Sequence, residues 1–494
     1  MNEQVVVREH MRVRQVVIAL ATVVAGAALV IVDARVSPGS DEALPVQGRV
    51  AIPSVNAGET VASTWFCPGV PGNDGTITSQ LVLANSGSQD MSASVTHLGS
   101  AVEPVTQSVV IPALAGLEVE ATGGVSSPFV ASIVEILGSS GSVEQVINHP
   151  AGRSVVPCTT TTANEWHFAD GFTAADSLES IVISNPFSDA SVVNVTFTTK
   201  DSLREPGNLQ GLVVAPRSVL SISLAEQGAR NEPVLAVSVR AKSGNVVVGR
   251  SQHYFGQGRL GYVMNLGSIG DATEWWFADG EKIEGSAEQL VVYNPWDVDR
   301  QLNVVFLPVD GVTVIEPLVV TAPAGRVTLI DTAQLPTLPA GRYGINVSVL
   351  DDLSRDDRGV VVEQVITRRV GDKVGTSVVL GTPGTALSNV WVAPSGVTPG
   401  LEDGLVVLNT TPSEASLFVE QVGPAGLVPV PGLESIVIGP GSLALVAIPP
   451  SLTPAQVVVR SDQPVVVQRM LARGGELVGR TTALAMPVLP MEMP

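Results

Sequence analysis

The sequence predicts an all-β chain, four tandem immunoglobulin-like β-sandwich modules after an N-terminal transmembrane helix, and three observations predict it. A tryptophan-led segment recurs four times at intervals of about a hundred residues, as WFCPG at Trp65, WHFADG at Trp166, WWFADG at Trp276 and WVAPSG at Trp391. Hydrophobic residues form 45% of the chain but aromatics only 4%, and the conspicuous valine suits a pleated, half-buried surface better than a helix. Beyond residue 35 no window joins 3.6-residue periodicity to helix caps, while 48 Gly and 35 Pro punctuate short apolar runs. A fixed period turns the chain into one module solved four times. About seven strands per hundred residues is the immunoglobulin-like load. Propeller blades run to roughly 40–50 residues, about half of these repeats, so sandwiches in a row are expected instead.

The N-terminus has its own organisation. Arg8, Arg12 and Arg14 precede an uncharged apolar run over 16–32. That run exceeds the ~7–15 residues of a signal-peptide core and reaches the low end of a membrane span. Arginine on its N-terminal side places residues 1–15 in the cytoplasm and the bulk of the chain outside. Residues 16–33 are read as a single-pass anchor in the cytoplasmic membrane and 34–47 as a linker. Val32-Asp33-Ala34 is a poor cleavage site, so an uncleaved anchor is favoured over a removed signal peptide.

Within each module the landmarks follow in order. Eighteen to twenty residues after the tryptophan an apolar pentad ends in Asn85, Asn185, Asn294 or Asn409, with Pro186 and Pro295 directly after two of them. Asparagine bonds its own backbone and proline fixes φ, so a turn is expected there, with the flanking strands forming a hairpin. A second turn lies at Pro112, Pro216, Pro323 and Pro440. Each module closes with what reads as another hairpin, and VEQVI stands at both 143–147 and 362–366. A junction segment occurs five times, from Gly48, Gly152, Gly261, Gly375 and Gly479, which predicts a strand at every junction and capped ends to the array. The modules are accordingly placed at 48–160, 161–270, 271–385 and 386–494.

Candidate chemistry is sparse. Cys67 and Cys158 lie at the start and end of the first module only, and outside the membrane a disulfide between them is expected, worth ~4–5 kcal/mol in loop-entropy terms. A net charge of −20 without a basic stripe excludes nucleic acid as a partner. His10, His97, His149, His167 and His253 occupy unrelated repeat positions without a nucleophile motif, so no catalytic residue, cofactor or metal is assigned. Asp170 and Asp279 in the FADG segments read first as turn residues and second as calcium ligands, and DDLSRDD at 351–357 reads first as a solvated hairpin tip and second as a calcium site. The recurrent Trp65, Trp166, Trp276 and Trp391 read as structural anchors, with Asn85, Asn185, Asn294 and Asn409. Trp275, Trp296, Phe187 and Tyr293 do not recur and are the candidates for contact with a ligand or partner.

The motifs TEWWFADG at 273–280, NEWHFADG at 164–171, LVVYNPWD at 290–297 and VVVEQVI at 360–366 resemble a repeat family of exported, membrane-anchored actinobacterial proteins, a domain of unknown function. The resemblance implies an anchored envelope protein of tandem β-domains and supplies no catalytic residues. The functional expectation is a non-enzymatic extracytoplasmic scaffold or interaction protein of the cell envelope. A glycan-binding accessory protein for cell-wall or capsule assembly is the alternative. Possible partners are envelope proteins or cell-wall polysaccharide, reached from the membrane through residues 16–33.

Overall fold

The computed structural model describes residues 51–57, 61–138, 140–199, 202–354, 356–370, 373–396, 403–449, 455–472 and 480–490. The expected tail, anchor and linker over 1–47 lie outside the described residues. Among those described, the regular structure is strand with a few 3-10 turns, and no helix is long and apolar enough to cross a membrane.

Each of the first three repeats builds two four- or five-stranded sheets. In the first, one sheet runs Ala62–Pro71, Phe129–Leu137, Met91–Leu98, Val105–Ile111; the other runs Ala115–Glu120, Thr78–Asn85, Gly141–His149, Gly152–Pro157. The second and third repeats keep this order. In the fourth, the sixteen-residue strand Val457–Ala472 serves both sheets and fuses them.

That order corrects both expected hairpins. Thr78–Asn85 and Met91–Leu98 belong to different sheets, and so do Phe129–Leu137 and Gly141–His149. The turn after the asparagine is a corner where the chain crosses between sheets, and the asparagine explains why. Asn85, Asn185, Asn294 and Asn409 are fully buried. Each Nδ2 donates to a carbonyl four residues ahead (Gln89, Asp189, Val298, Ser413) at 2.6–2.8 Å. Each also donates to the end of the outer strand (Ile111, Val214, Ala322, Ile438) at 2.9–3.2 Å. Each Oδ1 accepts from the amide two residues ahead. One side chain thus satisfies three backbone groups that the corner removes from the ladders.

The tryptophans are core anchors, with one correction. Trp65, Trp166, Trp275 and Trp391 are buried, and each stands opposite a valine of the neighbouring strand: Val134, Val239, Val347 and Val459. Nε1 of Trp166, Trp275 and Trp391 donates to the carbonyls of Val246, Val360 and Val465 at 3.0, 2.7 and 3.0 Å. The third anchor is therefore Trp275, not Trp276. In a strand a one-residue slip turns a side chain to the opposite face, and Trp276 packs outward against a cluster that includes Val406 and Leu408 of the fourth repeat.

In place of a row with two capped ends, the repeats close into a ring. The strands Gly152–Pro157, Arg259–Leu266, Lys373–Leu380 and Arg480–Leu484 each touch the next, and the last touches the first. Ser154 Oγ donates to the Met264 carbonyl at 2.9 Å and accepts from its amide at 3.1 Å, and Leu260 N donates to Thr376 Oγ1 at 3.2 Å. Four seams leave room for four axial strands, so the first copy of the junction segment, over 51–54, is not a strand. Pro53 lines an axial cavity of about 50 Å³ together with Val156, Met264, Val379, Thr482 and Leu484. Just beyond it Val55–Asn56 pairs in parallel with Val488 and Leu489, so the two ends of the described chain share a sheet. Closure buries strands on both faces: the first seven residues of Gly141–His149 are all buried. Cys67 and Cys158 are disulfide-bonded with Cα atoms 4.4 Å apart, beside the paired Phe66 and Thr159.

Candidate functional site

The seams concentrate the buried polar chemistry, and two adjacent positions of each closing strand carry it. Register against the asparagine strand aligns Glu144, Gly249, Glu363 and Gln468 as the first position, opposite Val82, Val182, Val291 and Val406. Gln145, Arg250, Gln364 and Arg469 are the second, opposite Leu81, Ile181, Leu290 and Leu405.

The first side chain leaves its own repeat and accepts amide N–H groups from the tryptophan loop of the preceding one. Glu363 Oε2 accepts from Asp170 N at 2.6 Å, and Glu144 Oε1 from Ser395 N at 2.5 Å. Gln468 Oε1 accepts from Ala278 N, and from Asp279 N at 2.7 Å. The loop of the first repeat carries Pro68, which has no N–H to offer, and there the facing residue is Gly249. A Cβ on Gly249 would stand 2.7 Å from Pro68 Cβ.

The second position completes the pattern. Arg250 grips Glu363 through Nη2–Oε1 at 2.8 Å and Nη1–Oε2 at 3.1 Å, and lies 5.0 Å over the Phe168 ring. Arg469 grips Glu144 at 3.1 and 3.0 Å across 325 residues of sequence, and Nη2 donates to the Gly396 carbonyl at 2.8 Å. At the other two seams the second residue is glutamine: Gln145 Nε2 donates to Gly69 O at 2.7 Å and Gln364 Nε2 to Asp279 O at 3.1 Å. Buried ion pairs thus alternate around the ring with neutral contacts. A carboxylate bonded to a guanidinium fork and a backbone N–H has its lone pairs engaged, which equips it to fix one repeat against the next.

Six residues before the asparagine stand further buried acids, Glu179, Glu288 and Asp403. Glu179 Oε2 accepts from Phe172 N at 3.0 Å; Glu288 accepts from Tyr343 Oη and Gln364 Nε2, both at 2.5 Å. Burial pushes Glu179 up to about 8 and Glu288 up to about 7. These acids and the paired seam residues escaped the reading of the sequence, although a charged residue inside an apolar strand was their visible signal.

The FADG aspartates are buried and engaged by arginine. Asp170 is fully buried and held by both Oδ atoms, each 3.0 Å from Arg259 Nη1, with Tyr254 Oη at 3.4 Å. Asp279, also buried, meets Arg342 at 2.7 Å, Arg368 at 3.0 Å and Thr482 Oγ1 at 3.3 Å. In 351–357, Asp351 and Asp356 face buried Arg300 at 3.6 and 2.5 Å. Among the described residues no three His, Cys, Asp or Glu side chains are grouped to hold a metal ion. His97 and His167 are buried and bonded to Ser132 and Ser238. His149 of the first repeat stacks on Tyr262 of the second at 4.3 Å, with His253 at 4.6 Å. Burial and then His253 bring His149 down to about 4.

The four candidate contact aromatics are not brought together. Trp275 is core. Tyr293 is buried at the seam of repeats two and three, where its hydroxyl lies 3.0 Å from Ser238 Oγ. Trp296 is half-buried under Arg358, 5.0 Å above its ring, and Phe187 alone is exposed, at 41%.

Comparison with known proteins places the sequence pattern of DUF5719, a family of unknown function, over residues 137–395, a little over half of the 494. No curated protein matches the chain. Among solved structures, Thermotoga maritima 1070 is 19% identical, covers 23% of this chain and 97% of its own, and has a TM-score of 0.20. A tetra-tandem repeat from the extending region of a large adhesion protein is 11% identical, covers 87% of this chain and 100% of its own, and has a TM-score of 0.10. At such scores neither likeness bears on function.

Proposed function

Since the chain belongs to DUF5719, a family of unknown function, its role has to come from its own geometry, and we propose that it is a non-enzymatic extracytoplasmic scaffold of the cell envelope. In this reading residues 16–33 hold it to the cytoplasmic membrane with the N-terminus inside. The immunoglobulin-like repeats at 48–160, 161–270, 271–385 and 386–494 form one platform, and the chain is of the actinobacterial exported kind its motifs resemble. The observation that carries the proposal is the use of charge: Arg469–Glu144 and Arg250–Glu363 join repeat to repeat. The buried disulfide supports export, because such bonds persist in oxidising compartments.

A topology experiment tests this. Cysteine placed at exposed Val213 should react with a membrane-impermeant maleimide in intact cells, and cysteine placed at Arg12 only after lysis. Labelling of Val213→Cys only after lysis sinks the proposal.

One observation favours the glycan-binding alternative. A cleft of about 160 Å³ at the seam of repeats two and three is lined by Asn194, Thr196, Glu205, Gln210, Arg240 and Tyr293. Amides, a hydroxyl, a carboxylate and a guanidinium around a tyrosine are groups that bond sugar hydroxyls. An array of envelope polysaccharides probed with the full chain in detergent decides it, and absence of binding removes this reading.

A further inference from the structure

The first repeat differs from the others in charge before it differs in shape. Between residues 51 and 152 the sequence has eight Asp or Glu and neither Lys nor Arg. Glu144 is used inside the ring by Arg469, whereas Asp74, Asp90, Glu103, Glu118, Glu120 and Glu135 are exposed.

Glu135 marks where this charge meets apolar surface. On Phe129–Leu137 it stands opposite Ser94 on one side and Thr64 on the other. The same place in the second repeat is Arg240, bonded to Glu165 at 2.8 Å, and in the fourth it is Arg460, bonded to Glu420 at 2.7 Å. Two repeats thus carry a neutralised cation where the first carries a carboxylate with no ion pair among the described residues. Beside Glu135 runs a groove of about 590 Å³ lined by Ser92, Ser94, Ser108, Val110 and Leu137. Val110 and Leu137 are 55% and 62% exposed, and the serines between them are small enough to leave a floor. Strands in a sheet lie ~4.8 Å apart, so two apolar walls on strands flanking a third leave room for one side chain.

We propose that this face of the first repeat docks an extended basic segment of a partner protein. An apolar side chain of the segment lodges between Val110 and Leu137 above Ser92, and a neighbouring lysine or arginine meets Glu135. The charge selects the occupant. Phosphate-bearing polymers and anionic lipid are repelled by a face built from 51–152, which has neither Lys nor Arg, whereas a basic chain is drawn in by the surrounding carboxylates. The open edge of Val105–Ile111, with Glu103 ahead of it and Asp90 beside the turn that follows, gives the segment room to run on. This assignment rests on the scaffold reading and supplies its partner class.

Fluorescence anisotropy tests it with the full chain in detergent micelles and two labelled probes, a four-repeat Lys-Val peptide and its Glu-Val counterpart. The Lys-Val peptide is expected to bind at low salt, weaken with added salt, and bind at least tenfold more weakly to Glu135→Lys and to Leu137→Ser. Both variants alter exposed side chains, and unchanged melting shows that the ring is intact. The Glu-Val peptide is expected not to bind. Equal binding by the variants and the wild type would overturn the site, because charge alone would then explain the affinity. No binding by the wild type also overturns it, as does self-association of the wild type that Leu137→Ser abolishes, which would give the face to a second copy. Either failure with the maleimide result intact removes this surface and leaves the scaffold reading standing.

Discussion

At the seam between the second and third repeats, Glu363 reaches across to the Asp170 amide and to Arg250. At the seam between the first and second, the same places hold Gly249 and Gln145, and the loop they face offers Pro68. One seam matches a buried donor with a buried acceptor across the boundary, whereas at the other the Gly69 amide turns back to Gln145 Oε1 of its own repeat at 3.3 Å and Pro68 meets Gly249 without a polar pair. The difference teaches that each seam is specified from its two sides at once, since an unmatched N–H or an unpaired charge would be costly at either. Placed in order around the ring, Arg250 and Arg469 sit in repeats two and four, and their glutamates in three and one. A repeat bearing arginine therefore closes well only against one bearing glutamate, which favours this cyclic order over others.

Breaking a charged seam should have the largest effect. Glu363→Gln keeps an acceptor for the Asp170 amide but leaves Arg250 buried without a counter-ion, and Glu144→Gln does the same to Arg469. Each is expected to cost about 3–5 kcal/mol, read as a shift of the urea midpoint of the full chain. A loss below about 1 kcal/mol in both would show that the pairs are solvated and that the contrast between seams is empty.

The neutral seam should lose less. Gln468→Ala strips one acceptor from two amides, Ala278 N and Asp279 N, without stranding a charge. The expected cost is about 1–3 kcal/mol, below that of Glu363→Gln in the same assay. Equal costs would mean that amide satisfaction, and not charge, sets seam strength.

Which parts of this were legible in the sequence follows from the range of the signals. The all-β class and the recurrent tryptophan and asparagine motifs are written in short local segments, their recurrence gives the repeat, and the presence of just two cysteines gives the disulfide. The sheet-crossing corners do not, because Asn-Pro with apolar flanks is written alike for a hairpin and for a corner. What separates them is whether Asn294 reaches the Ala322 carbonyl, a contact 28 residues away. The doubled Trp275-Trp276 hid the register for a simpler reason, since either indole fits the pattern and only the opposing Val347 decides. Closure was the least legible. A row and a ring of repeats share one local pattern, and the Arg469–Glu144 contact joins the closing strands of the last and first repeats, a pairing that no single repeat foretells.

Acidity should separate the seams more gently. Glu179 and Glu288 have folded pKa values of about 8 and about 7 against an ordinary 4.5. A raised carboxylate favours the folded state fully below its unfolded pKa, and that contribution is lost as pH rises through the folded value. The loss therefore runs from about pH 4.5 to 7 for Glu288 and to 8 for Glu179, no steeper than about 1.4 kcal/mol per pH unit for each. At the first seam His149 has the opposite sign: with a folded value of about 4 against 6.5, its contribution is present above pH 6.5 and lost as pH falls toward 4. Melting temperatures across pH 4–9 should flatten on the alkaline side in Glu179→Gln and Glu288→Gln, and on the acid side in His149→Gln. Unchanged profiles in all three would mean that these groups titrate normally.

The smallest expected effect is also the most discriminating. Arg250→Gln combined with Glu363→Gln gives the second seam the chemistry of the third, where Gln364 and Gln468 already do the same task. Replacing a buried ion pair as a unit removes two desolvation penalties together with one attraction, so the double variant should stay within about 1 kcal/mol of the wild type. It should also recover most of what Glu363→Gln alone loses. If the charges serve cyclic order more than stability, the double variant will melt normally yet refold from urea with a larger fraction of misjoined species, resolved by native electrophoresis. Misjoining is the expected failure because two identical neutral seams no longer tell one neighbour from another. A double variant that is both as stable and as faithful in refolding as the wild type would leave the alternation of charges without a role in assembling the ring.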